Sequence, residues 1–255
     1  MQIKFTHHGT EYTADTARPS DLSIPLRAGT EWVNCFYAPP VEFTPVRAGD
    51  FIGSTRAGGA VNFKNVRLNP HGNGTHTECV GHIGDEVYTI NRCLTRFHFL
   101  AQLITVWPTL QDNGDRVIMR EMFEDVFPKI PGTEAVVIRT MPNDLLKMTT
   151  KYSGTNPPYL HRAATEYLVE KGVRHLLTDL PSVDREEDGG ELRSHRAFWQ
   201  YPDTEAADRL DCTITELIYA DNDLKDGTYL LHLGIASFDM DASPSKPVLY
   251  ALKKT

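Results

Sequence analysis

The chain has little of what marks a secreted, membrane-spanning or nucleic-acid-binding protein. Its four cysteines, Cys35, Cys79, Cys93 and Cys212, form no Cys-x-x-Cys pair. Free thiols in a reducing compartment are the simpler reading, with two disulfides in an extracellular protein the alternative. The opening Met1 to His8 has no basic stretch followed by an apolar one, so no secretory signal is expected and the cytoplasm is the expected location. No apolar run approaches the roughly twenty residues of a membrane-spanning helix. Lys and Arg number 26 against 34 Asp and Glu, a net charge of −8, and they are scattered rather than massed. That balance argues against nucleic acid or an anionic membrane as partner. Low-complexity tracts, internal repeats and linkers are absent too, and 255 residues fit one large domain.

What is present is one dense stretch. Residues 71–82, His-Gly-Asn-Gly-Thr-His-Thr-Glu-Cys-Val-Gly-His, hold three histidines, a carboxylate and three glycines. In extended chain His76 and Glu78 point to one face; in a helix they would not, and the glycines would weaken it. An imidazole beside a carboxylate suits a divalent cation or a polarised substrate.

Around this stretch the pattern reads as strands with few helices. Ile3, Phe5 and Tyr12 about His8-Gly9 predict a hairpin. Residues 19–26 read as a proline-broken strand, and 27–58 as a long structured loop rich in aromatics. Val61 to Leu68 alternates as a strand leading directly into the histidine stretch. Further strands are expected at 100–107, 135–139, 173–177, 214–219, 229–235 and 247–252, and helices at 120–126 and 159–171. Gly172 caps the latter, while the acidic residues 185–192 are expected as an exposed loop.

The residues then resemble a known family. Gly72-Asn-Gly74-Thr75-His76-Thr-Glu78-Cys-Val80-Gly-His82 resembles the His-x-Gly-Thr-His-x-Asp-x-Pro-x-His motif of the cyclase-like metal-dependent hydrolases, a group that includes bacterial kynurenine formamidase and isatin hydrolase. Asp21-Leu22-Ser23, Asp179-Leu-Pro181-Ser182-Val183-Asp184 with His195 downstream, Thr215-Glu216-Leu217, and Asp241 with Ser243-Pro244 resemble further landmarks in family order. The resemblance implies an α/β fold, a single strand-rich domain over residues 1–255 of the cyclase-like (swivelling β/β/α) type. It also implies metal ligands at His76, Glu78, His195 and Glu216, a catalytic histidine at His82, one or two Zn²⁺ or Mn²⁺ ions, and a homodimer. The chain departs from the motif at Gly72 in place of the first His, at Glu78 in place of Asp, and at Val80 in place of Pro. His71 is displaced by one residue, which in extended chain turns a side chain to the other face. A turn residue after Pro70 is the favoured reading of His71, with ligation the alternative.

The nitrogen and oxygen donors suit Zn²⁺ or Mn²⁺ better than Ca²⁺ or Mg²⁺. The expected reaction is hydrolysis of a small-molecule amide, an arylformamide such as N-formylkynurenine or a small cyclic amide. His82 would take a proton from the attacking water and pass it to the leaving nitrogen. A carboxylate at Glu216 among Ile214, Leu217 and Ile218 would be costly to bury without a cation or donor. Trp32, Phe36 and Tyr37 are candidates for the substrate pocket, evenly balanced against covering a core edge. Cys79 is expected to pack rather than react, and the remaining histidines, His175 among them, to be structural. Two other readings compete: a degenerate family member that binds a ligand or serves a structural role, and a metal-free enzyme using His82 with Glu78.

Overall fold

A computed structural model describes residues 1–85, 87–124, 126, 131–202 and 207–254. The chain opens on the expected hairpin, β1 (Gln2–His7) and β2 (Thr10–Asp15). Its two turn residues, His8 (φ 44) and Gly9 (φ 74), both lie in the left-handed region that a two-residue hairpin turn requires.

Seven further strands close into a barrel. They are β3 (His76–Glu78), β4 (His98–Val106), β5 (Ala135–Thr140), β6 (His175–Thr178), β7 (Thr213–Glu216), β8 (Gly227–Ile235) and β9 (Ala242–Lys254). Strands β4, β5, β6 and β7 run parallel in that order, and β3 pairs antiparallel to β7. The long β9 pairs with β3 at its start and with β8 further along, and β8 returns to β4. The last residues of β9 carry the hairpin through β2.

Every residue of β5, β6 and β7 is buried, as expected for parallel strands covered on both sides. Two helices in the crossovers supply the cover. Leu168, Ala164 and Tyr167 of α1 (Arg162–Glu170) and Phe198 and Trp199 of α2 (Arg193–Trp199) join the main core. The fold is the expected strand-rich α/β domain, built on a seven-strand barrel.

Several local expectations shift. The helix expected at 159–171 starts at Arg162, because Tyr159–Leu160 pairs with Val117 and Ile118 as a short parallel strand. His161 instead caps the helix, its Nδ1 accepting from the Ala163 amide, and Gly172 ends it at φ 83. The expected 120–126 helix spans Glu121–Glu124, and Asp125 lies outside the described residues. The strand expected at 61–68 covers Lys64–Arg67 and pairs with Glu42–Pro45 in a ribbon exposed along Lys64–Arg67. It does not lead directly into β3: Asn69 caps a one-turn helix, Pro70–Asn73, between them. The 185–192 loop is only partly exposed, since Arg185 reaches the buried Asp115 and Asp188 accepts from the amides of Gly190 and Leu192.

His175 shows how deep the barrel wall is. Its ring lies against Phe99, centroids 3.8 Å apart, and Nδ1 faces the Thr213 hydroxyl at 2.9 Å. Burial, with a smaller push from Arg96, Arg174 and Arg209, drops its pKa from 6.5 to about 3. The unfolded chain therefore takes up a proton below pH 6.5 that the native chain refuses. Stability carried by this group is intact above pH 6.5 and falls by up to about 1.4 kcal/mol per pH unit between 6.5 and 3. Urea unfolding of wild type and His175→Gln across that range is expected to show the shallower slope in the variant.

Candidate metal centre

The barrel seam between β9, β3 and β7 brings the histidine stretch onto the carboxyl end of a parallel strand, the usual place for a site in such sheets. In β3, His76 and Glu78 share one face as the alternation requires, and register sets His76 opposite Glu216. Thr77, between them, turns the other way and meets the Thr215 hydroxyl at 2.8 Å. His76, Glu78 and Glu216 are all buried.

From the next layer α2 delivers His195, also buried, with Nε2 3.1 Å from Glu78 Oε1 and 3.9 Å from Glu216 Oε1. Asp184, at the end of the Asp179–Asp184 segment, fixes that ring: it accepts from the amides of Ser194 and His195 and faces His195 Nδ1 at 2.7 Å. Trp199 stacks on the imidazole from one turn later, centroids 5.6 Å apart. Asp179, at the other end of the segment, is occupied elsewhere, in a buried ion pair with Lys147 at 2.7 Å. The carboxylate of Glu216 accepts from the Val183 amide at 2.9 Å and lies 3.5 Å from His76 Nε2.

His71, read from the sequence as a turn residue with ligation the alternative, lies in the helical turn Pro70–Asn73, with Nδ1 3.2 Å from Glu78 Oε2 and Nε2 2.9 Å from Asp241 Oδ2. The parity argument fails because residues 70–73 are helical, not extended, so a shift of one residue does not reverse the side chain. Gly72, where the motif has its first histidine, has no room for one. A Cβ there would stand 2.2 Å from Ala38 Cβ and 3.0 Å from the Cys35 carbonyl oxygen. Gly72→His is therefore expected to lower the melting temperature by on the order of 5 °C or more without adding a ligand, since overpacking costs about 1–3 kcal/mol or above. Calorimetry and zinc stoichiometry of the variant check both halves.

His82 closes the site from the short turn Val80–His82 that follows β3. Its Nε2 is 3.8 Å from Glu78 Oε2, its Nδ1 3.3 Å from Asp241 Oδ2, and its ring stacks on His71 with centroids 4.4 Å apart. At 31% exposure it is the most open side chain of the cluster. Sequence reasoning gave no role to Asp184 or Asp241, although both lie in segments that carried the family resemblance.

The charges converge on one point. Burial opposes ionisation of Glu78, but His82, His195 and His71 hold its carboxyl well below the usual range. Burial works against protonation of His195 as well, yet Asp184 and Glu78 raise it well above 6.5. His71 goes up to about 10 under Asp241 and Glu78 against the same penalty. Two buried atoms of the cluster make no hydrogen bond, His76 Nε2 and Glu78 Oε2. Ligand atoms of His71, His76 and Glu78 lie within 4.8 Å of one another, as do those of Glu78, His82 and His195. The donor set fits a divalent cation, which would satisfy both orphaned atoms.

The other candidates separate. Trp32 lines a cavity of about 200 Å³ with Arg27, Lys151 and Asn73, the last two residues beyond His71. Phe36 and Tyr37 do not line it; both are exposed, at φ 55 and 53. All four cysteines are free and buried, and Cys79 packs beside Cys93, which with burial pushes its thiol up. No helix among the described residues is long and apolar enough to cross a membrane.

Isatin hydrolase A from Ralstonia solanacearum superposes with a TM-score of 0.65 at 14% identity, over 92% of this chain and 91% of that one. Isatin hydrolase A from Labrenzia aggregata, bound to benzyl benzoate, gives 0.63 at 16% identity over 92% and 93%. A potential metal-dependent hydrolase with cyclase activity gives 0.62 at 14% over 91% and 97%. These likenesses are of fold. No curated protein sequence matches the chain. The sequence model of the cyclase family matches residues 20–185, well over half of the 255 residues, and the chain belongs to that family.

Proposed function

We propose that the chain is a metal-dependent amidohydrolase acting on an arylformamide such as N-formylkynurenine or on a small cyclic amide. The observation that carries the reading is the pair of buried atoms that make no hydrogen bond, His76 Nε2 and Glu78 Oε2, inside a cluster of four imidazoles and four carboxylates. His71, His76 and Glu78 would hold the ion, with His195 and Glu216 completing the set or holding a second one. Bound Zn²⁺ or Mn²⁺ supplies Lewis acidity toward the carbonyl and brings the pKa of water from 15.7 toward about 7.

The chain's own groups do the rest. Asp184 and Trp199 fix the His195 ring, so that its Nε2 faces Glu78 and Glu216. His82, open to solvent on one side, is placed to take a proton from the attacking water at Nε2. As the carbon–oxygen bond forms and the carbon–nitrogen bond breaks, it returns that proton to the leaving nitrogen. The cavity under Trp32, which Asn73 from the same helical turn as His71 also lines, suits the ring of an aromatic substrate. Likeness to isatin hydrolases supports a cyclic amide. The reading further takes the enzyme as a cytoplasmic homodimer of single-domain chains.

The test is elemental analysis of the purified protein followed by assay on N-formylkynurenine, isatin, lactams and esters, with and without EDTA. Stoichiometric Zn or Mn and EDTA-sensitive turnover of an amide are expected. A metal-free protein that hydrolyses nothing in the panel would sink the reading in favour of a degenerate, ligand-binding member.

A further inference from the structure

We propose that Asp241 is a positioning residue that sets the tautomer of His82 and orients the ring of His71 through a single oxygen. The proposal rests on the hydrolase reading for its catalytic consequence, though not for its geometry. Asp241 directly precedes β9, whose first residue, Ala242, sits opposite Glu78. Its carbonyl accepts from the Cys79 amide at 3.0 Å, and the preceding Met240 carbonyl accepts from Ile90 at 2.7 Å. The main chain is thereby clamped to the strand that carries Glu78, and the carboxylate is delivered at the rim of the cluster.

There Oδ2 alone faces two stacked rings, His71 Nε2 at 2.9 Å and His82 Nδ1 at 3.3 Å. Gly81, just before His82, lets the turn pass close to the chain at Tyr88, whose carbonyl oxygen would stand 2.0 Å from a Cβ there. An ionised carboxylate only accepts, so each ring must donate N–H to it. His82 then turns an unprotonated Nε2 toward Glu78, and His71 turns Nδ1 to the same oxygen of Glu78. Among the described residues Asp241 is the hydrogen-bond partner of the His82 ring. Without it a ring on a short, partly exposed turn loses the contact that selects its base-ready form. One carboxylate therefore prepares the acid–base histidine and orients a candidate ligand histidine, the kind of supporting contact whose loss costs about 10–100-fold.

The experiment reads tautomers directly. Histidine-¹⁵N-labelled wild type, Asp241→Ala and Asp241→Asn are compared by two-bond ¹H–¹⁵N spectra, as purified and after loading with Zn²⁺. Zinc stoichiometry is measured alongside, as are kcat and KM on N-formylkynurenine and isatin. Wild-type His82 is expected as the Nδ1–H tautomer. Alanine should give a mixture, and the nearly isosteric asparagine, whose amide can donate to Nδ1, should give the Nε2–H form. Both variants should lose about 10–100-fold in kcat with KM little changed and zinc at saturation retained. An Nδ1–H tautomer that persists in both variants overturns the proposal. So does loss of a zinc equivalent at saturation, which would make Asp241 a ligand. If wild type turns over neither substrate, the hydrolase reading fails while the tautomer result still decides the role of Asp241.

Discussion

Glu78→Gln is expected to abolish tight metal binding and leave turnover at background, the largest effect of any single substitution in the site. The change keeps shape and volume, so the strand pairing of β3 with β7 and β9 should survive it. What it removes is the one charge that three histidines share: Oε1 faces His195 Nε2 at 3.1 Å, and Oε2 faces His71 Nδ1 at 3.2 Å and His82 Nε2 at 3.8 Å. An amide can offer one neutral oxygen, while its NH₂ would set two donors where the carboxylate has an acceptor oxygen. Loss of a supporting contact to a metal ligand costs about 10–100-fold, and loss of the central carboxylate should exceed that. A readout free of substrate is available. Wild type in Zn²⁺ at 100 times its Kd gains about 2.7 kcal/mol, which for a chain of this size raises the melting temperature by about 5–11 °C. The variant's melting temperature should not respond. A zinc-dependent rise equal to wild type would show that Glu78 holds no metal.

How much of this was legible beforehand depends on the range over which each signal acts. His76 and Glu78 on one face follow from the period of a strand, a purely local rule, and the structure has them so. The hairpin at His8-Gly9 and the cap at Gly172 are local too, set by which residues tolerate positive φ. The convergence of His195 and Glu216 is long-range, and only the ordered family landmarks pointed to it. The parity rule weighed at His71 holds for a strand, and residues 70–73 are not one: Asn69 and Pro70 start a helical turn, and both are good helix-start residues. Asp241 was seen only as a landmark. Nothing in a one-dimensional pattern says that β9 must pair with β3, and it is that pairing which closes the barrel and carries the carboxylate to the histidines.

His82→Ala is expected to cut kcat by about 10²–10⁴ while zinc stoichiometry and KM stay near wild type. The asymmetry follows from position. His76, Glu78, His195 and Glu216 are buried and hold one another, so removing any of them disturbs the cluster itself. His82 stands at the rim with its Nε2 3.8 Å from Glu78 Oε2, a distance of approach rather than of a settled hydrogen bond. A group in that place can reach a water and a leaving nitrogen in turn; the buried imidazoles cannot, because His195 Nε2 faces Glu78 and Glu216 and His76 Nε2 faces Glu216. The competing arrangement makes His82 a third donor beside Glu78 and His195, whose atoms it approaches closely enough to share an ion. The two separate on one measurement: if His82→Ala loses zinc in step with activity, the side chain is a ligand, and the acid–base role must be sought in a different group.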